Sequence, residues 1–340
     1  MASTENILFI NGLWRSSTTY FWNKVRQNSN WRCYYEPLHE MLAVLEPSMN
    51  DEMKRIEVWK MLRHPVTPEG YYHEYPISTS GRGVPHFSDS LSYERFILGP
   101  GDEHTELESY FRFLIEHAAS LGQRTCLQPN RMFLRSSWFA HRFPTAHIYI
   151  SRDWWDVWRS MHSFPNKYCP SRFYLIASLN ASHPMMGPLI EGWDLPSATS
   201  LSLTDAEPAL TPWISNPIEV FRFFYYVYVC ASVLNCACAD TVVDVSAPPG
   251  PDEMWASLRA CLAAEGVVAE FSDFLTPAYD RDGEFAALQA VAEEVEQLIL
   301  TRLPAIRIPE SRIPAYLPGD SPLRQLLWRF REASGSKLPV

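Results

Sequence analysis

The stretch Asn6-Ile7-Leu8-Phe9-Ile10-Asn11-Gly12-Leu13-Trp14-Arg15-Ser16-Ser17-Thr18-Thr19 decides how the rest of the chain is read. Its first half is a short β-branched and aromatic run closed by Gly12, the pattern of a buried strand. Its second half is a polar turn, and helix-compatible spacing follows over residues 19–27. A strand, a turn and a helix in that order point backbone N–H groups and a helix N-terminus at one small anion. Outward from this unit the same alternation recurs. Residues 31–35, 125–128, 146–151 and 241–245 read as further strands. Helices are expected over 103–121, 133–143, 154–163, 218–238, 252–264 and 283–302, and a helical region over 39–62 is broken near Pro47. Strands alternating with helices predict an α/β chain, three-layer α/β/α around a central, mainly parallel five-stranded sheet. In such sheets ligands bind beyond the carboxyl ends of the strands.

Two stretches break the alternation. Residues 64–101 carry Pro, Gly, His and Tyr with poor periodicity, and 164–217 are rich in Pro, Ser and Asn. Both read as insertions near a substrate site, within one domain spanning 1–340. Aromatic residues crowd them (Tyr71, Tyr72, Tyr75, Phe87, Trp193 and Trp213), which suits a small-molecule or carbohydrate acceptor. The apolar run 220–239 contains Arg222 and Asn235 and reads as a buried helix, so no membrane span is expected. A net charge of -10 argues against a nucleic-acid partner or an anionic membrane surface. It leaves room for a local basic pocket that takes one small anion. The 7 cysteines are scattered, and no basic n-region precedes residues 7–10, so a soluble, cytoplasmic protein with reduced thiols is expected. Cys236 and Cys238 read as buried thiols, and His64, His73 and His86 fit no ligand spacing, so no metal is expected. Trp154, Trp155 and Trp158 read as packing, and Glu293, Glu294 and Glu296 as a solvated helix face.

The turn after the first strand compares in part with the nucleotide pattern G-x-x-x-x-G-K-[ST]. Gly12 matches the first glycine, Ser17 stands at the second, Thr18 at the lysine and Thr19 at the Ser/Thr. Without the lysine this is a poor ATPase or kinase loop. Arg15 supplies a basic group three positions earlier. An arginine followed by Ser16, Ser17, Thr18 and Thr19 suits a less charged anion held without a metal, and a serine-rich helix cap is the alternative.

With these residues the chain resembles the sulfotransferases that use 3′-phosphoadenosine 5′-phosphosulfate (PAPS), whose phosphosulfate loop runs roughly G-x-x-[RK]-S-G-T-T. Gly12, Arg15, Ser16, Thr18 and Thr19 match, and Ser17 replaces the glycine. The second motif of that family, R-D with a serine further along the helix, is matched by Arg152-Asp153 and Ser160. Tyr35-Glu36-Pro37-Leu38-His39 is similar to the glutamate-proline element of carbohydrate-type members, and Asn130-Arg131 is a weaker match after the third strand. The order and spacing agree over residues 6–163. The usual proline after R-D is Trp154 here, and the G-x-x-G-D-W-K segment of aryl and steroid enzymes is missing. These departures point to the carbohydrate-type or bacterial branch. The resemblance implies a P-loop NTPase-like fold and PAPS as donor, released as the bisphosphate PAP, with no metal required. It further implies that the loop from Gly12 through Leu13, Trp14 and Arg15 to Thr19 holds the 5′-phosphosulfate, while Arg152 and Ser160 grip the 3′-phosphate.

The residues support part of this on their own. Arg152 lies at a strand end on the same sheet edge as the first loop, where an arginine can bind phosphate in a two-pronged contact; a pair with Asp153 or Asp156 is the alternative. Sulfuryl transfer to a hydroxyl or amine needs a base opposite the donor. Glu36 ends a strand at the same edge and is the first candidate, with His39 and Glu40 as rivals; a carboxylate that stabilises a helix start is the alternative. Asn130 and Arg131 either orient the acceptor or serve structure, and Arg135 shares the Arg131 face as a weaker candidate. Two other functions compete: a nucleotide kinase with a degenerate loop, and a non-catalytic nucleotide-binding protein.

Overall fold

The computed structural model describes residues 7–49, 64–65, 67, 69–162, 168–191, 216–246, 253–275 and 278–332. Five strands carry it: β1 (Ile7–Gly12), β2 (Trp31–Tyr35), β3 (Arg124–Gln128), β4 (Thr145–Ser151) and β5 (Thr241–Asp244). Their order is β2-β3-β1-β4-β5 and every pairing is parallel. β1 is central and buried along its whole length, as its unbroken apolar run requires. Gly12 lies opposite Ile150, and Tyr35 opposite Gln128, so the carboxyl ends of the inner strands share one edge. The chain leaves β1 towards the β2 side and leaves β4 towards β5. The loops after β1 and β4 therefore diverge, and such a switch point is where an open parallel sheet forms its ligand crevice.

Helices pack around this sheet in the expected three-layer α/β/α arrangement: α1 (Thr18–Arg26), α2 (Ser90–Tyr93), α3 (Thr105–Ser120), α4 (Ser136–Arg142), α5 (Trp154–His162), α6 (Tyr168–Leu179), α7 (Gly187–Ile190), α8 (Pro217–Cys238), α9 (Glu253–Ala264), α10 (Gly283–Arg302) and α11 (Pro322–Arg329). α3 buries Leu107, Tyr110, Phe111, Leu114, Ile115 and Ala118, the helical stripe legible in the sequence, and Gly122 ends it in a left-handed conformation. In α5 the three tryptophans are buried, and Trp154 stacks on Phe285 at 5.3 Å.

α8 is the helix among the described residues long and apolar enough to cross a membrane, and most of it is buried inside the fold. Asn216 caps it by accepting from the amides of Ile218 and Glu219, and Pro217 takes the first helical position, where no N–H is needed. It is tied to the central strand by a polar pin. Asn11 donates to Asn235 Oδ1 at 2.7 Å, and Asn235 donates to the carbonyls of Phe133 and Ala231.

Several expectations change. The segment 164–217 is not wholly irregular, because α6 and α7 lie in it; Pro170 falls in the first turn of α6, where a helix tolerates it. α11, started by Ser321 and Pro322, lies beyond the last helix expected from the sequence. Residues 40–43 form a 3-10 turn rather than an α-helix; 47–49 start a helical turn, and 50–63 lie outside the described residues, as do Trp193 and Trp213. Tyr71, Tyr72 and Tyr75 are buried. Glu296 is buried too, accepting from the Tyr225 hydroxyl at 2.6 Å and pairing with Arg329 at 2.9 Å. Residues two apart on a helix point to opposite sides, so Glu294 and Glu296 cannot share one solvated face.

Candidate active site

The loop after β1 is tight. A Cβ on Gly12 would lie 2.6 Å from the Ile150 carbonyl oxygen and 2.7 Å from Thr18 Cγ2, so only glycine fits there. Arg15 (φ 71) and Ser17 (φ 67) both adopt the left-handed backbone that disfavours L side chains. Strain of about 1 kcal/mol or more per residue gathers at this turn, as it does at ligand sites. Leu13 and Trp14 bury their side chains in the core, so they offer only backbone to the loop; the Trp14 ring meets Phe133 at 5.4 Å and Phe173 at 5.3 Å. The Ser16 amide donates to the Leu13 carbonyl at 3.2 Å. Ser17 stands at the N-cap of α1, yet its side chain makes no capping bond. The serine-cap alternative is therefore not what this turn does.

The second motif meets the loop directly. Arg15 Nε donates to Ser160 Oγ at 2.9 Å, and Arg152 Nη1 donates to the Arg15 carbonyl at 3.2 Å. Arg152 is 2% exposed, and its Nε lies 3.9 Å from Asp156 Oδ2. Asp153 instead pairs with Arg281 at 3.1 Å. Burial pushes the Arg152 guanidinium below its usual value; Asp156 opposes that push, and the like charge of Arg15 adds to it. A buried guanidinium that also feels the like charge of a second arginine favours an anion beside it.

On the other side, Glu36 follows β2 with a left-handed backbone (φ 42) and is 9% exposed. Its Oε1 accepts from Asn130 Nδ2 at 3.0 Å and its Oε2 from Arg131 Nη1 at 2.6 Å. Thr18 Oγ1 donates to Asn130 Oδ1 at 2.9 Å, so one short chain runs from the loop to Glu36. Gln128 donates to both Thr18 Oγ1 and Asn130 Oδ1 and holds that chain from below. Thr19 reaches the Tyr35 hydroxyl. Burial alone would raise the Glu36 carboxyl; the Arg131 guanidinium beside it outweighs that and holds the group below its ordinary value. Glu36 is thus a carboxylate at neutral pH.

His39 is differently committed. Its Nδ1 accepts from the Met41 amide at 3.1 Å, which leaves the proton of the neutral ring on Nε2. Burial pushes its pKa down, so the ring is neutral, and neither nitrogen offers a free lone pair. Glu40 is fully engaged by Arg131 at 2.6 Å and Arg172 at 3.1 Å. Arg135 is wholly buried and donates to the carbonyls of Leu91, Glu94 and Arg95, a structural clamp rather than a ligand contact.

The structure gathers Gly12 to Thr19, Arg152, Ser160, Glu36, Asn130 and Arg131 on one sheet edge, with His39 beside them. Sequence reasoning missed Gln128, Tyr93, Arg172 and the place of His64. The His64 ring lies 6.2 Å from that of Tyr35 and 5.7 Å from that of Tyr71, and its pKa is pushed down to about 3 by burial, with Arg15 adding and Glu36 opposing. Tyr71 is close in the chain, but Arg15, Tyr35 and Glu36 come from distant segments that no spacing announces. Among the described residues no three His, Cys, Asp or Glu side chains gather to hold a metal. No protein-family model, curated protein or solved structure matches the chain, so the reading of this site rests on its own geometry.

Proposed function

We propose that this chain is a sulfotransferase that moves a sulfuryl group from PAPS to a hydroxyl or amine of a small-molecule or carbohydrate acceptor. One observation carries the reading: a strained strand-to-helix loop, Gly12 to Thr19, is joined through Thr18 and Asn130 to a buried, ionised Glu36. An anion-holding turn and a carboxylate base on one rigid network are what transfer from a phosphate to a hydroxyl needs.

The residues fit the donor. When bound, PAPS supplies an electrophilic sulfuryl group on a phosphate leaving group. The close approach of backbone at Gly12 and the left-handed Arg15 and Ser17 suit a turn whose remaining amides would meet the phosphosulfate, and Arg15 would add a charge-assisted contact. Arg152 and Ser160 lie next to Arg15 and would hold the second phosphate. Glu36 takes the acceptor proton, and Asn130 fixes the carboxylate plane. The protein would act as a soluble, cytoplasmic enzyme.

A thermal-shift comparison tests the donor. PAP should raise the melting temperature without magnesium, and ATP with magnesium should not. Radiolabelled PAPS with an acceptor panel then tests transfer. A magnesium-dependent ATP shift with no PAP response would remove the reading in favour of a kinase.

A further inference from the structure

Arg131 sits between two carboxylates. Its Nη1 donates to Glu36 Oε2 and its Nη2 to Glu40 Oε2, both at 2.6 Å, and its side chain is 1% exposed. The rings of Trp14 and Tyr93 cover the guanidinium at 5.9 and 5.4 Å. The Tyr93 hydroxyl accepts from Arg131 Nε at 3.2 Å and donates to Glu40 Oε2 at 3.1 Å. Glu40 Oε1 is held in turn by Arg172 Nη2 at 3.1 Å. Glu40 is the first residue of the 3-10 turn Glu40–Ala43, which His39 caps, so backbone geometry fixes its place.

A cation this buried, facing one carboxylate alone, would lock it as an ion pair and make it a poor base. Here the same cation faces two. Glu36 and Glu40 are balanced by Arg131 and Arg172, and the four charges sum to zero. Among the described residues, the other groups facing Glu36 are Asn130 from the connection after β3, His39 from the turn after β2, and His64, with Tyr35 beside it on β2. The two histidines are neutral, so the arginine–carboxylate set dominates the field at Glu36.

We propose that Glu40 is a positioning residue for Glu36: by engaging one arm of Arg131 it limits that cation's hold on Glu36, which is left able to accept the acceptor proton. The inference deepens, and rests on, the sulfotransferase reading above. Two consequences of opposite sign follow. Removing the Glu40 charge hands Arg131 to Glu36 alone, so Glu36 becomes more acidic. Removing Arg172 frees Glu40 to draw Arg131 more strongly, so Glu36 becomes less acidic.

Full-length protein labelled with carbon-13 at its glutamate carboxyls would be titrated by NMR, the Glu36 signal being identified by its loss in Glu36→Gln. Glu40→Gln should lower the Glu36 midpoint by about one pH unit, and Arg172→Gln should raise it by a similar amount. Glu40→Asp should restore most of the wild-type value. In sulfuryl transfer from PAPS, the acid limb of the rate profile should move in the same directions. The plateau turnover of Glu40→Gln should fall by about 3–10-fold with donor KM nearly unchanged. A purely structural Glu40 would change stability but not shift the midpoint in opposite senses. Unchanged midpoints, or shifts of the same sign in both variants, would overturn the proposal. Should Glu40→Gln not fold, Arg172→Gln and Glu40→Asp still carry the test. Opposite shifts together with no sulfuryl transfer by the wild type would support the division of Arg131 and remove the sulfotransferase reading alone.

Discussion

Glu36 holds a left-handed backbone, a buried carboxylate and two fixed donors, and each of these bears on a measurable outcome. On the proposed reading Glu36→Gln keeps the size and one acceptor for Arg131 but deletes basicity. Turnover should drop by about 10²–10⁴-fold while PAP binding, read by calorimetry, stays near normal. His39→Ala should do less, because the lone pair it would need is spent on the Met41 amide. Acid stability follows from the same carboxyls. Glu36 and Glu40 are both held below the ordinary value of 4.5, so the stability they contribute is complete above that pH. It is lost as the pH falls through their folded values. The gap in melting temperature between wild type and Glu40→Gln should therefore be widest near neutrality and narrow as the pH drops below 4.5. A different strain sits at Ser17 (φ 67). Glycine is cheaper there, so Ser17→Gly should raise stability in urea melts by about 0.5–1 kcal/mol. Gly12, Arg15, Glu36 and Arg152 were legible in the sequence because each stands in a local pattern at a strand end. Asn130 and Arg131 were legible as a weaker match after the third strand, but their pairing with Glu36 was not: they lie 94 and 95 residues from it, and only the sheet register brings them together.

Elements decide which of these residues meet. β1 ends at Gly12 against Ile150 of β4, and that register places the loop and Arg152 side by side. Gly12→Ala would force a Cβ to 2.6 Å from a backbone oxygen that cannot move independently, so it should destabilise the fold by about 1–3 kcal/mol and distort the loop. Differential scanning calorimetry and PAP binding would both register it. The Asn11–Asn235 pin joins β1 to α8 in the same way. Asn235→Leu leaves Asn11 Nδ2 and the Ser136 hydroxyl, which also donates to Asn235 Oδ1, buried without that acceptor. The cost should be about 2 kcal/mol or more in chemical denaturation. Periodicity and strand composition revealed the five strands and the long helices, since burial on both faces writes a run of apolar residues and burial on one writes a stripe. α6 and α11 escaped because prolines near their starts resemble loop punctuation, whereas a first turn has no hydrogen bond for proline to break. The 3-10 turn at Glu40–Ala43 escaped for the opposite reason: its residues suit an α-helix, but Glu40 is drawn to Arg131 and Arg172.

At the scale of the whole molecule the net charge of -10 contrasts with a crevice that gathers Arg15 and Arg152. The overall acidity repels polyanions, while the crevice concentrates positive potential where the loops after β1 and β4 diverge. On the proposed reading, a small, multiply charged anion is the ligand that both facts favour. Arg152 carries the sharpest consequence. It is 2% exposed, its Nη1 is fixed on the Arg15 carbonyl, and burial and the like charge of Arg15 both disfavour its charged form. A phosphate placed there would offset both effects and gain a two-pronged contact. Arg152→Ala should therefore weaken PAP by about 2–5 kcal/mol, a loss of roughly 30-fold or more. Adenosine 5′-monophosphate, which lacks the 3′-phosphate, should lose far less. Calorimetric titration of both nucleotides into wild type and variant separates the cases. A large loss confined to PAP assigns Arg152 to the 3′-phosphate. Equal losses for both nucleotides would place Arg152 behind the loop instead, as the residue that holds Arg15 in its left-handed turn.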